Sequence, residues 1–309
     1  MTALQCIGVL AHPKRPQTSP VAHQVIASLQ ERQITTWLHE QWDENSVLDD
    51  VQCADMVIAI GGDGAMLKAA RVCAPYNVPV LGLNMGRLGF LTEIAGPPEW
   101  ENSLSVILKG DYWIEKRMMV TASVVRGNAL VYQGDALNDV VVSGGTIGRM
   151  VQVDLYIDQY WATTYNADAL IIATPTGSTA YALASGGPIL PPDLLNILIV
   201  PTAPHLSMDR SIVISEGSHI DVCPAIDNRH TVSLQVDGND VVQLAEDDIL
   251  RVNASKHVAK FVRMRNRNYF YRSLLDRLEP RVNRNEARRR SLRLDQLDDV
   301  INPGGAASH

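Results

Sequence analysis

The stretch Ile60-Gly61-Gly62-Asp63-Gly64 constrains this chain most. It follows an apolar run, residues 56–60, that reads as a buried strand, and precedes Ala65-Met66-Leu67-Lys68-Ala69-Ala70-Arg71, which reads as the start of a helix. A strand, a glycine turn and a helix in that order belong to an open α/β sheet, where ligands bind beyond the carboxyl ends of the strands. Glycines let backbone N–H groups approach phosphate oxygens, and a helix N-terminus favours negative charge. The aspartate is the unusual part. A carboxylate among phosphate-cradling groups repels phosphate unless it holds a metal ion or accepts a proton from a hydroxyl about to be phosphorylated. Capping the following helix is the other ordinary use of Asp here, and the turn alone leaves both readings open.

Around this turn, strands alternate with helical stretches. Residues 6–11, 34–38 and 78–83 read as strands, 21–30 carries helical spacing, and 99–109 reads as a closing helix. His12-Pro13-Lys14-Arg15-Pro16 reads as a solvated loop with cations able to meet a phosphate. From about residue 118 the pattern becomes short alternating runs: 119–125, 129–132, 140–142, 151–157, 197–200, 211–214, 231–236 and 241–244. Asp237-Gly238, between the last two, is a hairpin turn. The expected fold is an α/β N-terminal domain with a mostly parallel sheet (1–117) and a mainly-β C-terminal domain (118–262). A C-terminal helical segment (263–280) is expected to return to the first domain, followed by a basic tail (281–309).

A 46% hydrophobic, 20% charged chain of 309 residues buries a proper core, and a net charge of -7 argues against general nucleic-acid affinity. No apolar run approaches bilayer-spanning length, and residues 1–11 carry no basic segment before their apolar stretch, so they read as a first strand and not a signal peptide. Cys6, Cys53, Cys73 and Cys223 are scattered, as expected for reduced thiols in a cytoplasmic protein. The tail, with Arg284, Arg288, Arg289 and Arg290, is too charged for a core and reads as a mobile or weakly helical extension.

The richest chemistry lies in Thr174-Pro175-Thr176-Gly177-Ser178-Thr179-Ala180-Tyr181, followed by Ala182-Leu183-Ala184-Ser185-Gly186-Gly187. A buried strand runs into hydroxyls and then small residues. Small side chains admit a flat ring, and four hydroxyls exceed what one helix cap uses, so they are candidates for the polar edges of a nucleotide. In Asn138-Asp139 an amide can read an adenine edge and a carboxylate a ribose diol; a turn before a strand favours the same residues.

Together with Gly61-Gly62-Asp63-Gly64 and Pro201-Thr202-Ala203-Pro204-His205, these motifs resemble the NAD kinase family in order and context, over the chain up to about residue 278. The resemblance implies ATP-dependent phosphorylation of the 2′-hydroxyl of the adenosine ribose of NAD, giving NADP. It implies Asp63 as general base and Gly64 beside the dinucleotide, with Lys68 steadying phosphate and Phe90 lining the adenine site. Asn138 and Asp139 fall at adenine and ribose, and Arg149 near the substrate. Asp168 falls at the nicotinamide end, across a subunit boundary. Thr179, Ala180, Tyr181, Ala182, Leu183 and Ala184 line the NAD cleft, Asn239 stands where Gln is usual, and His205 is a possible neighbour of the reacting groups. Departures are Asp139 for Glu, Ala169 for Gly, Ala182 and Ala184 for Ser, and Asn166 for Arg. A divalent ion, Mg²⁺ held with ATP, and a homo-oligomer, dimer or tetramer, are implied as well; no protein metal cage, nucleic acid or membrane is expected. A lipid kinase sharing the glycine-aspartate turn and a non-catalytic NAD(P)-sensing module are the alternatives.

Overall fold

Short apolar strands buried on both faces build the first half, because alternate side chains feed two different helical layers. The computed structural model describes residues 4–86, 89–145, 150–225, 231–271 and 274. β1 (Cys6–Ala11), α1 (Thr18–Gln30), β2 (Thr35–His39), α2 (Leu48–Gln52), β3 (Met56–Gly61), α3 (Asp63–Cys73), β4 (Val80–Asn84) and α4 (Trp100–Leu108) follow in turn. β1 pairs in parallel with β2 and β3, and β3 with β4. Ile7, Val9, Ile58, Ile60 and Leu83 join one core with Leu29 of α1 and Trp100 of α4. Leu10, Val57, Ala59 and Val80 join the other, with Val51 of α2 and Met66 and Ala70 of α3. This period of two places Gly61 at the carboxyl end of a central strand, where the chain turns directly into α3.

The remaining elements are β5 (Trp113–Arg126), β6 (Ala129–Ala136), β7 (Asp139–Gly144), β8 (Val151–Ile157), β9 (Tyr160–Ala167), β10 (Ala169–Ala173), α5 (Tyr181–Ala184), β11 (Asn196–Thr202), β12 (Ile212–Ser215), β13 (Ile220–Pro224), β14 (Val232–Val236), β15 (Asn239–Leu244) and β16 (Asp248–Arg263). Among the described residues the strands make two sheets. One is six-stranded and antiparallel, in the order β12-β11-β10-β7-β14-β15. The other has ten strands, in the order β2-β1-β3-β4-β16-β13-β8-β9, with β5 on β16 and β6 on β5. Val120, Val124, Leu155, Val222 and Leu250 of the larger sheet pack on Val140, Val142, Ile172 and Leu234 of the smaller one, a sandwich core.

The mostly parallel N-terminal sheet and the mainly-β second half are as expected from the sequence. The chain comes back to the first half as β16, antiparallel to β13 and β5 and then parallel to β4 at Phe261 and Val80. Its pairing with β5 shifts register between Ala254 and Val258. Leu250 and Val252 are buried before the shift and Ala259 and Phe261 after it, so the inward phase changes from even to odd positions and no single alternation is visible in the sequence. The segment 263–280 lies in part outside the described residues, and the tail 281–309 wholly so. A second unit begins at Arg267; in it the rings of Phe270 and Tyr271 meet edge to face at 5.4 Å.

Phe261 is fully buried at the point where parallel and antiparallel pairing meet. Phe261→Ala is expected to lower unfolding free energy by about 3–5 kcal/mol in urea titrations. A loss below about 1 kcal/mol would contradict its role in joining the two kinds of pairing.

Candidate active site

The site starts from Asp63, the first residue of α3. Gly62 occupies the N-cap position in extended conformation (φ -108°, ψ -165°), with no side-chain cap, so the helix-capping use of Asp63 is not what the fold adopts. Instead the carboxylate reaches sideways. Its Oδ2 accepts the Phe90 N–H at 2.7 Å and its Oδ1 the Leu91 N–H at 3.0 Å. Two donors fix the direction of the group while lone pairs remain for a further hydrogen, since a carboxylate offers about four acceptor positions. Gly89 makes the approach possible, because a Cβ there would overlap the Asp63 carboxylate. Phe90 itself is half-buried and Gly64 exposed.

Beside this turn lies a cleft of about 370 Å³, lined by His12, Trp42, Gly64, Lys68, Arg71 and Asn239 among others. The Lys68 ammonium lies 4.0 Å from the Trp42 ring centroid and donates to the Trp42 carbonyl at 2.9 Å. Burial pushes its pKa down, with Arg71 and Lys14 acting the same way against the pull of Glu44 and Asp43. Trp42 is fixed by its own Nε1–H, which donates to the Ala11 carbonyl at 2.8 Å. His12 is also held below its ordinary pKa, by burial and then by Arg15, which favours the neutral ring. Its Nδ1 accepts the Lys14 N–H at 3.1 Å, so the neutral ring carries its proton on Nε2.

Asp237 ties the two halves of the site together. It sits with Gly238 in a two-residue hairpin, both at positive φ (47° and 75°), as the Asp-Gly pair predicts. Its fully buried carboxylate accepts the N–H groups of Leu137 (3.0 Å), Asn138 (2.7 Å) and Asp139 (3.3 Å) and pairs with Arg71 of α3 at 3.1 Å. Arg71 also pairs with Glu44. The helix that begins with Asp63 is therefore bonded, two turns later, to the residues that orient Asn138 and Asp139. Asp139 is 6% exposed, and burial, followed by the charge of Asp237, raises its pKa to about 7.

The 174–179 turn adjoins the same pair, since Asp139 stands opposite Ala173 and the Asn138 carbonyl accepts the Thr174 N–H at 2.9 Å. Gly177 packs so closely that a Cβ would overlap the Asn138 carbonyl. The hydroxyls serve mainly to shape the turn. Thr174 donates to the Leu137 carbonyl (2.5 Å) and accepts from Gly177 N–H (3.1 Å). Ser178 donates to the Pro175 carbonyl (2.7 Å) and accepts from Leu190 N–H (2.9 Å). Thr176 accepts from Arg117 (3.1 Å), and Thr179 donates to the Thr176 carbonyl (3.2 Å). Thr174 and Ser178 are fully buried, whereas Thr179, Ala180 and Leu183 are half-buried and Tyr181 and Ala184 exposed; Ala182 is buried against the core beneath the smaller sheet.

Asp168 and His205 lie elsewhere. Ala169 pairs with Thr202, so both residues sit at the opposite end of β10 from Thr174, roughly 20 Å away at about 3.3 Å per strand residue. Both are exposed, and the His205 N–H donates to the Asn166 carbonyl at 2.7 Å. Exposed Asn239 reaches the Val236 and Asp237 carbonyls, both at 3.4 Å. Arg149 lies outside the described residues. Sequence reasoning missed Trp42, Arg71 and the anchoring role of Asp237. The Asp-Gly turn accounted for Asp237 so well that its carboxylate drew no second question.

Because Asp139 keeps its proton to about 7 in the native state and releases it at 3.8 when free, the unfolded chain binds fewer protons in between. Stability conferred by this residue is lost as pH rises from about 4 to about 7 and is level above that. Asp139→Asn is expected to stabilise the chain more at pH 8 than at pH 5, by on the order of 2–3 kcal/mol in urea titrations. Equal effects at the two pH values would contradict the assignment.

Two family models match the chain: ATP-NAD kinase N-terminal domain over residues 14–112 and ATP-NAD kinase C-terminal domain over residues 137–264. The NAD kinase of Chloroflexus aurantiacus is 38% identical over 275 residues, covering 89% of this chain and 99% of that enzyme. In fold, the chain is similar to yeast NADH kinase complexed with NADH (TM-score 0.79, 22% identity, 92% of this chain and 90% of that one). It is similar also to an NAD kinase from Archaeoglobus fulgidus in complex with ATP (TM-score 0.67, 23% identity, 87% and 96%).

Proposed function

The chain belongs to the NAD kinase family, and from that membership we propose that Asp63 is the general base of its reaction. The reaction is transfer of the γ-phosphoryl group of ATP to the 2′-hydroxyl of the adenosine ribose of NAD, giving NADP. The lipid-kinase and sensing-module alternatives are not favoured, since both halves match NAD kinase models. The observation that carries the base assignment is the Asp63 carboxylate, fixed by two backbone N–H groups one residue before Gly64 of the cleft and not used to cap its helix. As the 2′-oxygen attacks phosphorus in line, its proton passes to Asp63, the bond from the γ-phosphorus to the bridging oxygen breaks, and ADP leaves.

Asn138 and Asp139, held by Asp237, read the adenine and ribose; Phe90, Gly64 and Asn239 line the dinucleotide. Arg149 belongs to this binding set. Thr179, Ala180, Tyr181, Ala182, Leu183 and Ala184 form the wall of the NAD cleft, with the buried hydroxyls beneath them keeping its shape. Lys68 faces phosphate, and its lowered pKa suits a cation confined by Trp42. Among the described residues no three His, Cys, Asp or Glu side chains converge on a cation site. A Mg²⁺ ion held with ATP would neutralise charge on the transferring phosphates.

Asp168 serves the nicotinamide end of the dinucleotide bound by a second copy of the chain. Its exposure at the far end of β10 supports this. Tyr160 and Trp161, 81% and 61% exposed on the outermost strand of the larger sheet, support a homo-oligomer, dimer or tetramer. No helix among the described residues is long and apolar enough to cross a membrane, and scattered free thiols favour a cytoplasmic protein.

Asp63→Asn keeps the shape of the group and removes its basicity. Its NAD dissociation constant is expected to stay within about threefold of wild type while NADP formation falls by roughly 10²–10⁴-fold. Near-normal turnover in this variant refutes the base assignment.

A further inference from the structure

The loop that aims Asp63 is itself held from behind by charged side chains that line no part of the cleft. The Leu91 carbonyl, on the residue whose N–H meets Asp63, accepts Arg263 Nη1 at 2.7 Å. Arg263 Nε donates to Glu115 Oε2 at 2.8 Å, and the same oxygen accepts Arg117 Nη2 at 3.1 Å. Arg117 Nη1 then donates to the Thr176 hydroxyl at 3.1 Å. Hydrogen bonds thus run unbroken from the base loop to the turn that walls the proposed dinucleotide site. A parallel clamp holds the next residues: Glu93 Oε1 accepts the Met264 and Arg265 N–H groups, and Arg265 donates to the Thr92 carbonyl at 2.6 Å.

The geometry of these strands explains how the charges meet. Glu115 and Arg117 are two apart on β5 and so share a face, as do Phe261 and Arg263 on β16, and Glu115 stands opposite Phe261. Both guanidinium groups approach the Phe261 ring, at 5.3 Å for Arg263 and 6.0 Å for Arg117. Arg263 is fully buried and Glu115 and Arg117 nearly so. Burying such a set is a poor route to stability, because apolar side chains of like volume hold strands together as well or better. What apolar side chains cannot do is grip a carbonyl and a hydroxyl.

We propose that Arg263, coupled through Glu115 to Arg117, is a positioning residue that fixes the base Asp63 relative to the 174–179 turn, so that acceptor sugar and base meet in register. Arg263 lies two bonded steps behind the carboxylate, and its effect passes through the two peptide groups that flank the Leu91 Cα. The inference rests on the reading of Asp63 as the base. Misplacement of a reacting group by about 1 Å is enough to lower turnover on the order of 10²-fold.

The test is Arg263→Lys, made in the wild-type chain and in Asp63→Asn, with turnover and NAD dissociation constant measured for all four proteins. Lysine keeps the charge and loses the fork that spans Leu91 and Glu115. In the wild-type background turnover is expected to fall at least about tenfold with the NAD dissociation constant within about threefold, and in Asp63→Asn the residual rate is expected to change less than about twofold. An equal loss in both backgrounds, an effect confined to NAD binding, or unchanged turnover overturns the proposal. Asp63→Asn alone at near-normal turnover would sink the base reading separately. If Arg263→Lys does not fold, Glu115→Gln, which keeps the volume, is read in the same two backgrounds with the same outcomes deciding.

Discussion

A buried carboxylate that collects three backbone N–H groups and one guanidinium is the joint on which this site depends. Asp237 gathers Leu137, Asn138, Asp139 and Arg71, and in doing so bonds the helix of the glycine turn to the residues that lead into β7. Neither group is readily given up, since removing one partner of a buried pair strands the other at a cost of about 3–5 kcal/mol. The same negative charge is one reason the neighbouring Asp139 holds its proton to about 7. The carboxylate that holds the backbone of Asn138 and Asp139 thereby adds to the burial that raises the Asp139 pKa.

The frame behind the joint is one continuous sheet. β16 hydrogen-bonds to β13 and β5 of the sandwich and to β4 of the parallel sheet, so the strand that leads into Asp63 shares a lattice with one face of the sandwich, whereas Asp139 lies on β7 of the other sheet and is joined to α3 through Asp237 and Arg71. Relative motion of the two halves would have to break ladder hydrogen bonds and open the ring and guanidinium contacts around Phe261. Charged residues inside this frame are placed where carbonyls and hydroxyls face them.

Periodicity made much of the fold legible. β1, β3 and β4 are short apolar runs, β8 alternates cleanly, and Asp237-Gly238 forms the hairpin it signals. Three strands escaped, β9, β13 and β16. β13 is five residues long and carries Asp221, paired with Arg251, at its second position; β16 changes inward phase at its bulge. In both, a tertiary partner compensates what local pattern would reject. The candidate site was legible in its parts and less so in its logic. Residue types in the 174–179 turn suggested hydroxyls offered to a ligand, whereas Thr174 and Ser178 are turned inward to backbone groups that no sequence pattern reveals. The two backbone donors to Asp63 belong to residues 27 and 28 positions away, a relation no local spacing encodes.

One spatial relation decides the proposed mechanism: a carboxylate held in the glycine turn beside the cleft has to lie within reach of the oxygen that becomes phosphorylated. A crystal structure of the chain with NAD and a non-hydrolysable ATP analogue measures it directly. The account predicts an Asp63 carboxylate oxygen within about 3.2 Å of the ribose 2′-oxygen, or joined to it through one water, with the γ-phosphate on the opposite side of that oxygen. A separation of more than about 5 Å with no bridging water would contradict it.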